Sequence, residues 1–393
     1  MSTPKYLIVS LPTSVTPSGH RDDVLSSLQK AVSTSYGEVS PFNTTSFKIG
    51  TLDGLIQQSE DLAKLESLSN AVVAKVGDTL KNILDGNEAK ISLHKSVNDK
   101  PLEQYLKSFS WNKVKYRSDK PIAELLVLLQ KEINSIDNDV RTKYNQYNGL
   151  RTSLQQLQKR QTGNLSTRSL TSIVKPGTLV NDSEHLESHL VAVPNSYVKD
   201  FTRSYETISP FVVPRSALEV SKDDEYTLYA VTLFRKYSAE FVHKAREKKW
   251  VPRDFKLKQG GQEAEVKELK KTETEERRVW GETLRLGRTG WSEAVQALVH
   301  VIVLRVFVES VLRYGLPPDF VGALVKTDKK RAEKAKKALD AQYSYLGGNA
   351  FGTDKKGRAT KEDSAGGGPG ADLVATSDTG DYTAYVVYEI DFD

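Results

Sequence analysis

A helix-rich α+β fold, drawn out as an elongated dumbbell, is what this sequence of 393 residues predicts. Three observations carry the prediction. Strand-like segments stand at both chain ends and need pairing partners. Two helical patterns run longer than most domains are wide. Between them, roughly 90 residues alternate short apolar strands and helices, enough for a small domain of their own. The expected organisation is a foot built from residues 1–120 and 291–393, an antiparallel helical neck over 121–164 and 262–290, and an inserted α+β head over 165–258.

The N-terminal KYLIVSL alternates as a strand and stops at Pro12; it lacks the basic-then-apolar layout of a signal peptide. DDVLSSLQKAV reads as a helix, SFKIG at 46–50 as a second strand, and residues 52–84 as a long helix. Pro121 then opens the first neck helix, at a position where a missing N–H costs least. Leu126, Leu129, Ile133, Ile136, Val140, Lys143, Tyr147, Leu150, Leu154 and Leu157 recur at spacings of three and four, the signature of a coiled-coil seam. A helix of that length would reach about 60 Å at ~1.5 Å per residue.

The second neck helix begins near Gln262, with Val266, Leu269 and Trp280 expected on one stripe and Gly281, Gly287 and Gly290 as soft points. The head between them reads HLESHLVAVP as a strand, NSYVKDFTRSYETI as a helix, FVVPRSALEV and EYTLYAVTLF as strands, and KYSAEFVHKAREKK as a helix. After the neck come the strand GALVKT, the basic helix DKKRAEKAKKALDAQY, the flexible loop GGGPG at 366–370, and YTAYVVYEIDF, a strand expected to join the N-terminal domain. The most apolar run, ALVHVIVLRVFV at 297–308, is interrupted by His300 and Arg305 and falls short of the roughly 18–20 residues a bilayer span needs. No membrane insertion is expected.

Chemistry is hard to find. With no cysteine, thiol catalysis, disulfides and cysteine-ligated metals are excluded, and a reducing compartment is favoured. A formal charge of +5, from 56 basic and 51 acidic residues, is too even a balance to imply nucleic acid. There is no GxSxG elbow. His185 and His189 in HLESH lack HExxH order and fall on a strand, too far apart for one metal. In GGNAFGTDKKG, Gly347 and Gly352 have phosphate-loop separation, but Thr353 stands where the lysine must be. Asp137 and Asp139 lack the glycine and closing glutamate of a calcium loop and belong to a solvated helix face. No catalytic residue, metal or cofactor is therefore expected.

What remains is charge and apolar pattern. Residues 235–258 hold nine Lys or Arg against three acids, and Lys244, Arg246, Lys248, Lys249 and Arg253 are the candidate partner-binding residues within them. Residues 326–337 hold seven against two, whereas 372–393 hold six acids and no base. In VESVLRYGLPPDF at 308–320, Val308, Val311 and Leu312 make an apolar face and Gly315, Pro317 and Pro318 a stop, so the motif reads as the anchor of neck to foot. Glu309 and Arg313, four apart, can pair on the opposite face.

RVFVESVLRYGLPPDF at 305–320 resembles the most recognisable segment of the C-subunit family of the V-type proton-translocating ATPase (V-ATPase). FKIGTLDGLI at 47–56, QTGNLSTRSL at 161–170, IVKP at 173–176, SEHLESHLVAVP at 183–194, SYETIS at 204–209, VHKAREKKWVPRDF at 242–255 and LGGNAF at 346–351 resemble further segments in family order. The resemblance implies a non-catalytic stator component on the cytosolic face of vacuolar or endomembranes. Its head would bind a peripheral stalk made of the E and G subunits. Its foot would meet a second stalk and the N-terminal domain of the a subunit, and its release would accompany reversible disassembly. Actin binding occurs in some members. A cytoskeletal adaptor and a nucleotide-binding regulator are the alternatives; the missing Lys-Ser/Thr pair counts against the second.

Overall fold

A computed structural model describes residues 4–175, 177–180, 183–255, 261–350, 352–353, 359–360 and 383–392. The class is the helix-rich α+β expected. The chain divides into two compact units, one of residues 1–144 with 282–393 and the other of residues 145–281.

In the first unit the elements run β1 (Pro4–Pro12), α1 (Arg21–Tyr36), β2 (Glu38–Phe42), α2 (Leu52–Ile83), α3 (Glu88–His94), α4 (Leu102–Lys107) and the first part of α5 (Ile122–Thr162). Thr51 starts α2 by accepting the Gly54 N–H at 3.2 Å, satisfying one of the first-turn donors. The second unit holds β3 (Leu186–Pro194), α6 (Val198–Ser204), β4 (Leu218–Lys222), β5 (Tyr226–Phe234), α7 (Ser238–Glu247) and β6 (Val251–Arg253). Then α8 (Gly261–Tyr314) leads into β7 (Phe320–Asp328), α9 (Ala332–Tyr343), the short β8 (Gly352–Thr353) and β9 (Ala359–Thr360), and β10 (Val386–Ile390).

The first unit is built on an antiparallel sheet in the order β10-β1-β7-β2, so the C-terminal strand does pair with the N-terminal one, Ile8 opposite Tyr388. Alternation along β1 sends Tyr6 and Ile8 to one core, with α2, α5 and α8, and Leu7, Val9 and Leu11 to the other, with α1 and α9. The sheet is thus covered on both faces. The sheet of the second unit, β4-β5-β3-β6, is likewise antiparallel and two-sided. Val191, Val231 and Leu233 pack with Phe201, Phe241 and Trp250, while Leu190, Leu228 and Ala230 pack with Leu165, Leu170 and Val174.

The seam of α5 is buried at Leu129, Ile133, Ile136, Val140 and Tyr147, and only half-buried at Leu150, Leu154 and Leu157. Within the first unit α5 and α8 are antiparallel, because Val140 meets α8 at Gly290 while Lys143 pairs with Glu282 at 2.5 Å. The apolar stretch of α8 is long enough to cross a membrane by length and composition, yet 78% of it is buried inside the protein. It is a core helix, contributing Val295, Leu298, Ile302 and Phe307 to the larger core.

Several expectations need correction. SFKIG is no strand; Lys48 alone makes a bridge, to Pro121, and the second strand is the preceding EVSPF. FVVPRSALEV is a strand only from Leu218, where β4 (Leu218–Lys222) begins, since Phe211 and Arg215 turn left-handed at φ 59 and 57. Val266 and Trp280 are each 38% exposed, while Val279 and Thr283 are the buried positions. Gly287 and Gly290 are contact points rather than soft points. A Cβ on Gly287 would come within 2.9 Å of Leu80 and one on Gly290 within 2.8 Å of Val140, so the missing side chains are what let these helices approach. The GGGPG loop, and residues 372–382 of the acidic tail, lie outside the described residues.

Candidate functional site

No group of three or more His, Asp or Glu side chains able to hold a metal occurs among the described residues. One constellation nevertheless looks catalytic by composition. Ser238 Oγ lies 2.7 Å from His189 Nε2, and Glu187 lies 3.1 Å from the same nitrogen. That shared nitrogen defeats the arrangement, because a triad needs the carboxylate on Nδ1 so that Nε2 is left to take the serine proton. His185 precedes β3, is exposed, and accepts the Arg235 N–H with its carbonyl at 2.8 Å. Gly347 lies in a 3-10 turn and Gly352 with Thr353 in the β8–β9 hairpin.

The basic residues separate into two groups. Trp250, buried against Phe201 at 4.8 Å between ring centroids, donates its backbone N–H to the Ala245 carbonyl and so fixes the chain where α7 ends. Lys249 adopts φ 62 in that turn, the left-handed conformation common after a helix. As a result Arg246, Lys248 and Lys249 are exposed together at the α7 C-terminus, where positive charge also suits the helix dipole. None of the three has a carboxylate within ion-pair distance among the described residues. Lys244 is committed to Glu240 at 2.7 Å, one turn back. Arg253 stands apart: it is half-buried in β6 and donates to the carbonyls of Leu165 and Arg168, both at 2.7 Å, and burial lowers its pKa. It braces the fold of the second unit.

In the second basic run three of the seven cations are paired, while Lys329, Lys330, Lys334 and Lys337 are exposed with no carboxylate within ion-pair distance among the described residues. Lys326 donates to Glu103 at 2.6 Å and, with Lys107, holds that carboxyl below its ordinary range; Lys336 donates to Glu389 at 2.7 Å; Arg331 pairs with Asp328 at 3.4 Å.

At the end of α8, Val308 and Val311 are buried and Leu312 packs against the same core. Gly315 takes φ 83 and returns its N–H to the Val311 carbonyl at 2.9 Å, closing the helix; Leu316–Pro317 is cis, and Pro318 precedes the Asp319 that accepts the Thr13 hydroxyl at 2.5 Å. Glu309 and Arg313 pair at 3.7 Å. Sequence reasoning missed the more consequential contacts. Ser310 donates to Ser10 Oγ at 2.8 Å, and the Tyr314 hydroxyl donates to the Ser10 carbonyl at 2.6 Å while accepting the Val386 N–H at 3.1 Å. Arg313 donates to the carbonyls of Thr383 and Tyr385. Polar groups of one helix end therefore tie both chain termini together. The only local signal was Ser310 and Tyr314 at i, i+4, on one helix face.

The family model for the V-ATPase C subunit matches residues 6–386. The chain belongs to the V-ATPase C-subunit family. The V-type proton ATPase C subunit of Saccharomyces cerevisiae is 38% identical over 365 residues, 92% of each chain. The C 1-A subunit of Danio rerio is 37% identical over 89% of this chain and 88% of that one, and the C 1 subunit of Mus musculus 36% identical over 90% and 89%. Membership of this family makes the chain a peripheral component of a proton pump. A solved cytoplasmic N-terminal domain of the V-ATPase I subunit, a homolog of the a subunit, aligns with 86% of this chain at 13% identity, but its TM-score of 0.35 is too low to bear on the fold.

Proposed function

We propose that this protein is a non-catalytic stator element that bridges peripheral stalks of the E and G subunits to the N-terminal domain of the a subunit, and whose release accompanies separation of the ATP-hydrolysing and proton-conducting sectors. The reading includes the foot, neck and head expected from the sequence, and a position on the cytosolic face of vacuolar or endomembranes. A stator transmits torque, so it needs stiff helices and several moderate contacts rather than a reaction centre; multivalency then makes the closed assembly firm and the loss of one contact a route to release.

The observation that carries the proposal is the cationic end of α7. Arg246, Lys248 and Lys249 are held outward by the buried Trp250 and lack acidic partners among the described residues. Such a cluster is suited to acids on a stalk helix, since opposite charges steer and accelerate association. Reversal of all three, Arg246→Glu with Lys248→Glu and Lys249→Glu, in the full chain is expected to weaken binding to a purified E–G heterodimer by about tenfold or more and to flatten its salt dependence. Unchanged affinity at low salt would remove this surface from the interface.

A further inference from the structure

The second unit exposes an aromatic cluster that the α7 terminus does not account for. Phe211, 61% exposed, stacks on Tyr237 with ring centroids 5.1 Å apart and meets the 41% exposed Phe234 edge-on at 5.7 Å. Lys236 Nζ stands 5.8 Å from the Tyr237 centroid. The Phe211 carbonyl accepts the Phe234 N–H at 3.2 Å, which ties the loop to the end of β5. Phe211 nonetheless adopts φ 59, a region that a bulky side chain enters only at a cost. Burial does not offset that cost, because most of the ring faces solvent.

Exposed aromatics grouped in this way mark contact surfaces, and aromatic residues with arginine dominate the energetics of such surfaces. The charges around the cluster select the partner. Arg215 and Lys236 have no carboxylate within ion-pair distance among the described residues, and Arg235, which donates to the Ser183 carbonyl at 3.1 Å, has Glu187 as its one such carboxylate there, at 3.7 Å, which His189 approaches more closely at 3.1 Å. Glu206 is held by the Tyr205 hydroxyl and the Arg215 N–H, and Glu240, one turn after Lys236, pairs with Lys244 at 2.7 Å. The surface is therefore apolar at its centre and cationic at its rim.

We propose that Phe211, Phe234 and Tyr237, flanked by Arg215, Arg235 and Lys236, dock an acidic amphipathic helix of the peripheral stalk, its apolar face on the rings and its carboxylates on the rim. The inference rests on the stator reading and adds a second contact on the same unit. Phe211→Gly is the sharpest test, because glycine keeps the left-handed loop and removes only the ring.

In the full chain, Phe211→Gly is expected to retain the wild-type melting temperature within a few degrees and to weaken binding to the E–G heterodimer by about tenfold or more. Lys236→Glu is expected to weaken it by about threefold to tenfold, most at low salt. Wild-type affinity in both variants would overturn the proposal while leaving the stator reading intact if the α7 reversals still lose binding. Failure of the wild-type chain to bind the heterodimer would overturn both. Self-association abolished by Phe211→Gly, with stalk binding unchanged, would assign the surface to a second copy of the chain and overturn the acidic-helix proposal.

Discussion

His300 shows how one residue's surroundings decide its chemistry. In the sequence it only interrupts an apolar run; in the fold it is 3% exposed, ringed by Phe109, Trp111 and Tyr116 at 5.2, 4.8 and 4.8 Å between centroids. Nδ1 donates to the Gln296 carbonyl at 2.6 Å and Nε2 accepts the Asn112 N–H at 3.1 Å, an arrangement that only the neutral ring can make. Burial pushes its pKa down from 6.5 to about 4, more than the Gln296 carbonyl and Glu132 push it up, and Lys115 adds to the lowering. A depressed folded pKa means that the unfolded chain binds the proton first. The contribution to stability is therefore complete above about pH 6.5 and is lost as the pH falls toward 4, about 3 kcal/mol in all. Chemical denaturation at pH 7 and pH 4.5 should show the wild type losing more stability than His300→Gln; equal losses would contradict this account. The partners at Asn112 and Gln296 explain why the role was illegible: one is a loop residue 188 positions away, which no local pattern reveals.

At the scale of elements, the long helices and the long strands were legible because their apolar periodicity runs for many residues, as in α5 and β5. Short elements were not. EVSPF carries a proline and owes its strand conformation to pairing with β7, and the three residues of β6 to pairing with β3; such segments are set by tertiary context rather than propensity. The glycines of α8 make the same point, since spacing cannot tell a soft point from a close contact. Substitutions separate the two. Gly290→Ala would drive a methyl against the buried, stiff Val140 and is expected to destabilise by about 1–3 kcal/mol, outweighing its gain in helix propensity. Gly281→Ala meets nothing within 4 Å and is expected to stabilise by about 0.5–1 kcal/mol. Thermal denaturation of the pair should show opposite signs; a shared sign would contradict the packing of α8. At the helix end, Tyr314→Phe leaves the Ser10 carbonyl and Val386 N–H without their shared partner and is expected to cost about 1–2 kcal/mol. Faster hydrogen exchange at the Val386 amide should accompany it, and an unchanged rate would show that the tyrosine hydroxyl does not hold the C-terminal strand.

At the scale of the whole molecule, both chain ends meet in one sheet, and the polar end of α8 fastens them. The candidate contact surfaces belong to the other unit, at the end of α7 and around Phe211. Family membership was legible in segments such as VESVLRYGLPPDF, whereas the contact residues were legible only in part. Charge density pointed to Arg246, Lys248 and Lys249, but it also pointed to Lys244 and Arg253, whose partners within the fold a residue count cannot see. It did not point to Phe211, whose exposure depends on a left-handed turn. The central claim is that one chain engages two different partners at once. Titration of the full chain with an E–G heterodimer, in the absence and presence of the N-terminal domain of the a subunit, tests it most directly. The expected result is a ternary complex in which each partner leaves room for the other; mutually exclusive binding, or no binding of either, would contradict it.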